Sequence, residues 1–124
     1  MSFSSEHLDI RINSEFGLNC LEFVFKGKFT EQASIKGTEA WVKIFDSNPY
    51  TKYTLLWNCE DMTGFEPGAR KEWYRVMKIY KPRIKEVTVV SKHLIIRGAA
   101  KVMLEFFGIK SKVVRTIDEL MVAT

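Results

Sequence analysis

The spacing of hydrophobic residues changes along the chain, from the period of strands to the period of helices. Leu8, Ile10 and Ile12 alternate with polar residues, which predicts a strand with one solvent-facing side. A second strand is predicted from Leu18 to Gly27, and the two strands are expected to pair as a hairpin. The side chains predicted to share one face of the second strand are Leu21, Phe23 and Phe25.

Three long helices then alternate with three strands, and a short helix ends the pattern. Thr30 predicts the N-cap of the first long helix, and Pro67 suits the first turn of the second. The segment Thr116-Ile-Asp-Glu119 is typical of a capping box that starts the short helix. The other strands are predicted over about 52–59, 84–91 and 112–115, and the long helices over about 30–47, 67–80 and 94–107. The helix residues predicted to face inward are Ala33, Gly37, Ala40, Trp41, Ile44 and Phe45, then Ala69, Trp73, Val76, Met77 and Tyr80, then Ile96, Ala99, Ala100, Met103 and Phe106.

This order of elements predicts a single α/β domain over residues 1–124, with the order β-β-α-β-α-β-α-β-α. Right-handed crossovers would bring the later strands together in parallel in a mixed sheet. The first predicted strand is expected to be its antiparallel edge. The third predicted strand, apolar on both faces, is expected to lie at the centre.

Composition and charge narrow the class of protein. The chain has 124 residues, 46% of them hydrophobic, and a net charge of +4, which is too small to indicate nucleic-acid binding. No apolar run approaches the roughly 20 residues of a membrane span, and the N-terminal residues lack a secretory pattern. Cys20 and Cys59 each lie in an apolar run, as expected for reduced thiols in the cytoplasm.

The strand that starts near Tyr53 runs into an acidic, glycine-containing segment before Pro67, and we expect function at this place. Ligands of open α/β sheets gather where parallel strands end. The segment from Glu60 to Gly68 is predicted to be a turn, and its candidate surface residues are Asp61, Thr63 and Glu66.

Two chemistries could be placed at this edge of the sheet. Asp61, Ser91 and His93 could meet as a hydrolase triad, but no Gly-x-Ser-x-Gly nucleophile turn is present. The preferred interpretation is a serine that caps a helix and a solvated histidine. The acidic side chains of Glu60, Asp61 and Glu66 could hold a hard cation, but they lack a calcium-loop spacing. The sequence therefore predicts a non-enzymatic protein with no cofactor and no functional metal.

The second long helix and the segment after it are strongly basic. Lys71, Arg75 and Lys78 recur at helical spacing and lie on one face. Such a face suits an acidic partner or an anionic headgroup, and an ordinary solvated face is the alternative. Tyr74 and Phe107 flank the predicted buried stripes and could border a groove or a homodimer contact. The basic residues of this patch are Arg70, Lys71, Arg75, Lys78, Lys81, Arg83 and Lys85, against Glu72 alone.

The chain resembles the STAS domain superfamily, and within it the SpoIIAA-like proteins, over nearly its whole length. The resemblance rests on the order of elements and on the segments Leu55-Leu-Trp-Asn-Cys-Glu-Asp61, Met62-Thr-Gly-Phe-Glu-Pro-Gly68, Val87-Thr-Val-Val-Ser91 and Ile95-Ile-Arg-Gly-Ala-Ala-Lys-Val-Met103. It implies a regulatory module, of the anti-sigma-factor antagonist type, that binds a protein through the turn and the second helix.

The sequence departs from the pattern of the family at one important place. Many STAS antagonists carry Asp-Ser-Ser-Gly at this turn, and a partner kinase phosphorylates the serine. Here the matching residues are Phe65-Glu-Pro-Gly-Ala69, without a hydroxyl, and Thr63 falls earlier in the turn. No phosphorylation switch is therefore expected.

The sequence leaves two functions open. The first is a module that binds a protein, with a homodimer and weak contact with anionic lipid as further options. Nucleic acid is not expected as a partner, because the net charge is small. The second is a small-molecule or lipid-binding domain, because SpoIIAA-like domains resemble the CRAL-TRIO lipid carriers in layout. The surface residues predicted to carry function are Asp61, Thr63, Glu66, Arg70, Lys71, Tyr74, Lys78, Ser91 and His93.

Overall fold

A computed structural model describes residues 2–122, which form a six-stranded sheet with four α-helices. Two short 3₁₀ helices lie at Ser14–Phe16 and Lys81–Arg83. The strands are β1 (Ser2–Ser4), β2 (Leu8–Ile12), β3 (Cys20–Phe29), β4 (Tyr53–Phe65), β5 (Ile84–Val90) and β6 (Ser111–Val114). The helices are α1 (Glu31–Ser47), α2 (Pro67–Tyr80), α3 (Leu94–Phe106) and α4 (Ile117–Val122).

The strands lie in the sheet in the order in which they occur in the chain. β1, β2 and β3 are antiparallel neighbours, and β3 to β6 are parallel, so the predicted mixed sheet is confirmed. The prediction that Leu8–Ile12 forms the edge is wrong, because β1 pairs with it from Ser2 opposite Arg11 to Ser4 opposite Asp9. A strand of three residues is too short to show a periodic pattern.

The main core lies between one face of the sheet and helices α1, α2 and α3. Trp73 of α2 lies at its centre, with its ring centroid 5.6 Å from Phe23, 5.1 Å from Trp41 and 6.3 Å from Trp57. Edge-to-face contacts such as the one with Phe23 add to the free energy gained from burial. The opposite face of the sheet carries a smaller cluster, formed by Cys20, Leu56, Val90 and Val114 and covered by Phe16, Ile117 and Leu120.

A buried carboxylate lies on this second face. Glu22 is only 2% exposed. Its carboxylate accepts hydrogen bonds from Arg11 Nε at 2.9 Å, Asn13 Nδ2 at 3.0 Å and Asn58 Nδ2 at 3.3 Å. These three donors satisfy a charge that would otherwise be costly to bury.

The predicted turn from Glu60 to Gly68 is largely strand. β4 continues to Phe65 and pairs in parallel with β3 until Phe29 lies opposite Phe65. The prediction failed because acidic and glycine residues are uncommon inside strands. The pairing persists through two register shifts, and Gly27, with a φ of 66°, lies between them.

The two phenylalanines at the end of α3 have the opposite exposure from the prediction. Phe106 is 72% exposed, whereas Phe107 is buried in the main core. Phe107 follows Ile96, Ala100, Met103 and Leu104 at helical spacing, so it lies on the inward stripe. The prediction that Phe106 faces inward is therefore wrong.

Candidate functional site

Seven of the nine predicted surface residues lie along one path from the end of β4 to α2. Asp61 and Thr63 are exposed on the extension of β4, and Glu66 directly precedes α2. Arg70, Lys71 and Lys78 are exposed on α2, and Tyr74 is half-buried there. Ser91 and His93 lie apart from this path, between β5 and α3.

Glu66 connects the beginnings of α1 and α2. Its carboxylate accepts a hydrogen bond from the backbone N–H of Glu31 at 2.7 Å, in the first turn of α1. The positive end of a helix stabilises such an anion. The Glu31 carboxylate in turn lies so close to Gly68 that a Cβ there would collide with it. Glu66 therefore holds two helices together, a role that the sequence did not indicate.

The prediction that Ser91 caps α3 is wrong, because its hydroxyl bonds to the residue that precedes the helix and not to a backbone N–H within it. The Ser91 side chain is buried, and its Oγ accepts a hydrogen bond from the backbone N–H of His93 at 3.1 Å. The His93 side chain is exposed at the N-cap of α3 and makes no capping bond. Within residues 2–122, no hydrogen bond joins the side chains of Asp61, Ser91 and His93.

The basic patch divides into paired and unpaired cations. Arg83, in the 3₁₀ helix that follows α2, is half-buried and packs against the C-terminal end of α1. It donates to the Phe45 carbonyl at 2.7 Å and to the Thr51 carbonyl at 3.1 Å. Arg75 pairs with Glu72 at 3.0 Å. In the described part of the chain, no acidic side chain lies within ion-pair distance of the exposed cations Arg70, Lys71, Lys78, Lys81 and Lys85.

An exposed apolar stripe on α3 was missed by the sequence analysis. Ile95 is 70% exposed and Val102 63% exposed, and both lie on the same side of the helix as Phe106. The Tyr74 ring contacts Phe106 at 5.9 Å and Phe107 at 5.5 Å. The signal was present in the sequence, because apolar residues occupy two sides of this helix rather than one.

We call the exposed residues of α2 and α3 on either side of the Tyr74–Phe106 contact the α2–α3 surface. The cations lie on the outward side of α2 and the apolar side chains along one side of α3, and the two sets meet where the Tyr74 ring contacts the Phe106 ring. Its members are Arg70, Lys71, Tyr74 and Lys78 of α2, and Ile95, Val102 and Phe106 of α3.

A crevice opens between α2, α3 and the ends of β3 and β4. Its volume is about 70 Å³. The Arg70 guanidinium lies over the Phe65 ring, 5.5 Å from the centroid. The crevice is lined by Phe25, Phe29, Trp57, Cys59, Met62, Phe65, Ala69, Arg70, Trp73, Ile96, Ala99, Ala100 and Met103.

The two thiols are held in their neutral form. Burial raises the pKa of Cys59 to about 12. Burial, together with the nearby Glu22 charge, raises the pKa of Cys20 to about 11. Because the thiolate is the reactive species, neither side chain is activated as a nucleophile at neutral pH.

Residues 2–122 contain no group of three or more His, Cys, Asp or Glu side chains placed to hold a metal ion. Over the same residues, none of the helices has both the length and the apolar character needed to cross a bilayer.

The chain matches no protein-family model and no curated protein. It is similar to the crystal structure of an uncharacterized protein of the DUF3478 family from Shewanella loihica PV-4, which is described as having a SpoIIAA-like fold. The TM-score is 0.77 at 15% sequence identity, and the match covers 99% of this chain and 98% of the other. The SpoIIAA-like fold predicted from the sequence is thus confirmed.

Proposed function

We propose that the protein is a non-enzymatic, STAS-like regulatory module that binds another protein through the α2–α3 surface. The observation that carries this proposal is the contact between Tyr74 and Phe106, which makes the basic face and the apolar stripe continuous. Aromatic anchors surrounded by polar groups are the usual source of binding energy in protein interfaces.

The partner we propose is a folded protein with an acidic surface. Lys71 and Lys78 are exposed and, within the described residues, have no carboxylate partner, so their charge is available to another molecule. Complementary charges speed encounter and fix orientation, while the apolar contacts supply most of the affinity.

Phosphorylation at the end of β4 is not part of this proposal. The segment from Phe65 to Ala69 contains no hydroxyl side chain. Glu66 lies in the stretch that matches the serine-containing turn of STAS antagonists, and its carboxylate bonds to α1. Incubation with a STAS-type serine kinase should leave residues 60–68 unmodified, and peptide mass spectrometry showing phosphate on Thr63 would contradict this.

A charge reversal tests the proposed surface. The double variant Lys71→Glu/Lys78→Glu should bind an isolated partner about ten-fold more weakly, because opposed charges become like charges. The loss should be larger at low salt than at high salt. Binding is measured by calorimetry with a partner first captured from host lysate and then purified.

The control for this test has the same change of charge elsewhere. Lys36 and Lys43 are exposed on α1 and are also seven residues apart. The variant Lys36→Glu/Lys43→Glu should bind like the unmodified protein, and both variants should melt at nearly the same temperature. Equal affinities of the two double variants would show that the basic face does not bind the partner.

A small-molecule or lipid-binding domain is the second hypothesis. The crevice supports a lipid poorly, because its volume of about 70 Å³ lies well below the roughly 300–1,000 Å³ of most ligand pockets. Native mass spectrometry of protein purified from its own host would report a bound lipid directly.

A further inference from the structure

The crevice between α2 and α3 is bordered by short side chains on both helices. Ala69 of α2 and Ala99 and Ala100 of α3 all line it. Because these side chains end at Cβ, the helices leave a space between them that longer side chains would fill. The volume of about 70 Å³ is about five times the roughly 10–15 Å³ that one water molecule needs in the same measure. An aliphatic side chain of about the size of leucine fits such a space.

The burial of the lining residues distinguishes the floor of the crevice from its opening. Trp57 and Trp73 are each 3% exposed and form part of the floor. Arg70 is exposed, and Met62 and Phe65 are half-buried, so these three residues lie at the opening. A group that enters from solvent therefore passes a cation and ends against apolar side chains.

Arg70 is held at the opening with its charge available to another molecule. Its guanidinium rests on the Phe65 ring, 5.5 Å from the centroid. Within residues 2–122, no carboxylate lies within ion-pair distance of it. An arginine keeps its charge at physiological pH, and its planar guanidinium pairs well with a carboxylate. The opening therefore favours an acidic contact, whereas the crevice itself favours an apolar one.

We propose that the partner inserts one aliphatic side chain of about the size of leucine into this crevice, and that a carboxylate beside that side chain pairs with Arg70. This inference rests on the proposed function, because it names the chemistry that the α2–α3 surface recognises. The inserted side chain packs against Trp73, Ile96 and Met103. The crevice supplies a buried anchor point, and the cations around it orient the partner.

A capped dipeptide tests the crevice without the unidentified partner. The protein is isotope-labelled at its methionine methyl groups and titrated with N-acetyl-leucyl-aspartic acid amide while NMR spectra are recorded. Met62 and Met103 line the crevice, whereas Met77 and Met121 do not. The dipeptide should shift the Met62 and Met103 signals saturably and leave the Met77 and Met121 signals in place. A millimolar Kd is expected for so small a ligand.

Two analogues separate the apolar contact from the ion pair. N-acetyl-alanyl-aspartic acid amide lacks most of the apolar side chain and should bind about ten-fold more weakly. N-acetyl-leucyl-asparagine amide lacks the charge and should bind about three-fold more weakly, as expected for an exposed ion pair. Arg70→Gln should bind the aspartate and asparagine peptides equally, because it removes the cation of that pair. Lys71→Gln changes an exposed neighbour outside the crevice and should keep the preference for aspartate.

A filled crevice relates this site to the partner itself. Ala99→Leu adds an aliphatic side chain at the crevice wall and should weaken binding of the purified partner about ten-fold, because the space for its side chain is taken. Ala40→Leu is the matched control, since Ala40 is half-buried on α1 and lines a different groove beside β1. It should bind the partner as the unmodified protein does, and thermal melting checks that both variants are folded.

The proposal is overturned if the leucyl peptide leaves the Met62 and Met103 signals unmoved, or if the alanyl peptide binds equally well. It is also overturned if Arg70→Gln keeps the preference for aspartate, or if a folded Ala99→Leu protein binds the partner with unchanged affinity. Arg70 is exposed, so the peptide titration and the arginine variant decide the question even if Ala99→Leu does not fold.

Failure of this inference differs from failure of the proposed function. Unmoved methionine signals, together with weaker partner binding by Lys71→Glu/Lys78→Glu, would reject the crevice and keep the basic face. Unchanged partner binding by that double variant would reject the basic face itself.

Discussion

At the scale of single residues, several charged side chains serve the fold and are not available to a partner. Glu66 bonds to the start of α1, Arg83 bonds to its end, and Glu22 is buried with three donors. In the sequence, Glu66 and Arg83 lie among polar or basic residues, and Glu22 alternates with the apolar residues of a predicted strand. Their partners lie 9 to 38 positions away in the chain, so no local pattern predicts these contacts.

Removing the Glu66 carboxylate should loosen the junction of α1 and α2. We expect Glu66→Ala to lower the free energy of unfolding by about 1–2 kcal/mol, because the Glu31 N–H loses its acceptor and the helix loses an anion. Glu66→Gln keeps an acceptor and should cost less. Urea denaturation measures the difference.

A matched glutamate on the same helix provides the control. Glu39 is exposed in the middle of α1. Glu39→Ala should stay within about 0.5 kcal/mol of the unmodified protein. A Glu66→Ala protein as stable as Glu39→Ala would mean that the hydrogen bond contributes nothing.

At the scale of elements, the helices and most strands follow from periodicity, whereas the end of β4 does not. The prediction of α2 agrees with the structure at both ends, since Pro67 fixes its start and the inward stripe is regular. The sequence predicts a turn at the end of β4, because Glu60, Asp61 and Gly64 are poor strand formers. Pairing with β3 overrides that local preference. This pairing joins residues that lie far apart in the chain, so the local sequence does not show it.

The long β3–β4 pairing depends on the conformation of Gly27. Its φ of 66° is one that other residues adopt at a cost, so we expect Gly27→Ala to lower the free energy of unfolding by about 1–2 kcal/mol. Thermal and urea unfolding of the purified variant measure this loss.

Gly64 on the partner strand is the natural control. It has no positive φ, and a Cβ there would meet nothing within 4 Å. Gly64→Ala should therefore be neutral, or stabilising by about 0.4–1 kcal/mol. If both variants lose the same stability, backbone conformation at Gly27 is not the cause.

At the scale of the whole molecule, one aromatic cluster joins the sheet to two helices. Trp73 of α2 contacts Phe23 and Phe29 of β3, Trp41 of α1 and Trp57 of β4. The sequence predicted that Trp73 and Trp41 face inward, because both lie on regular apolar stripes. The crevice beside the cluster could not be predicted, because it depends on how far α3 stands from α2 in the folded chain.

Trp73→Ala should therefore weaken the whole domain. A large aromatic truncated in a core costs about 3–5 kcal/mol, which is a large part of the roughly 5–15 kcal/mol of a typical domain. Trp73→Phe keeps part of the ring contacts and should cost clearly less. Chemical denaturation distinguishes the two, and equal losses would argue against Trp73 as the centre of the core.

The two outermost strands of the sheet bear on how the protein is best handled in the laboratory. β1 has three residues and β6 has four, so neither edge offers another chain a long row of free backbone groups. β1 also covers β2, whose Leu8 and Ile10 are fully buried. An affinity tag fused to residue 1 would join the chain directly before β1. If the tag displaced β1, the longer strand β2 would become the edge and could pair with another chain. A tag at the other terminus avoids that risk, and size-exclusion chromatography of the two fusions would reveal the difference.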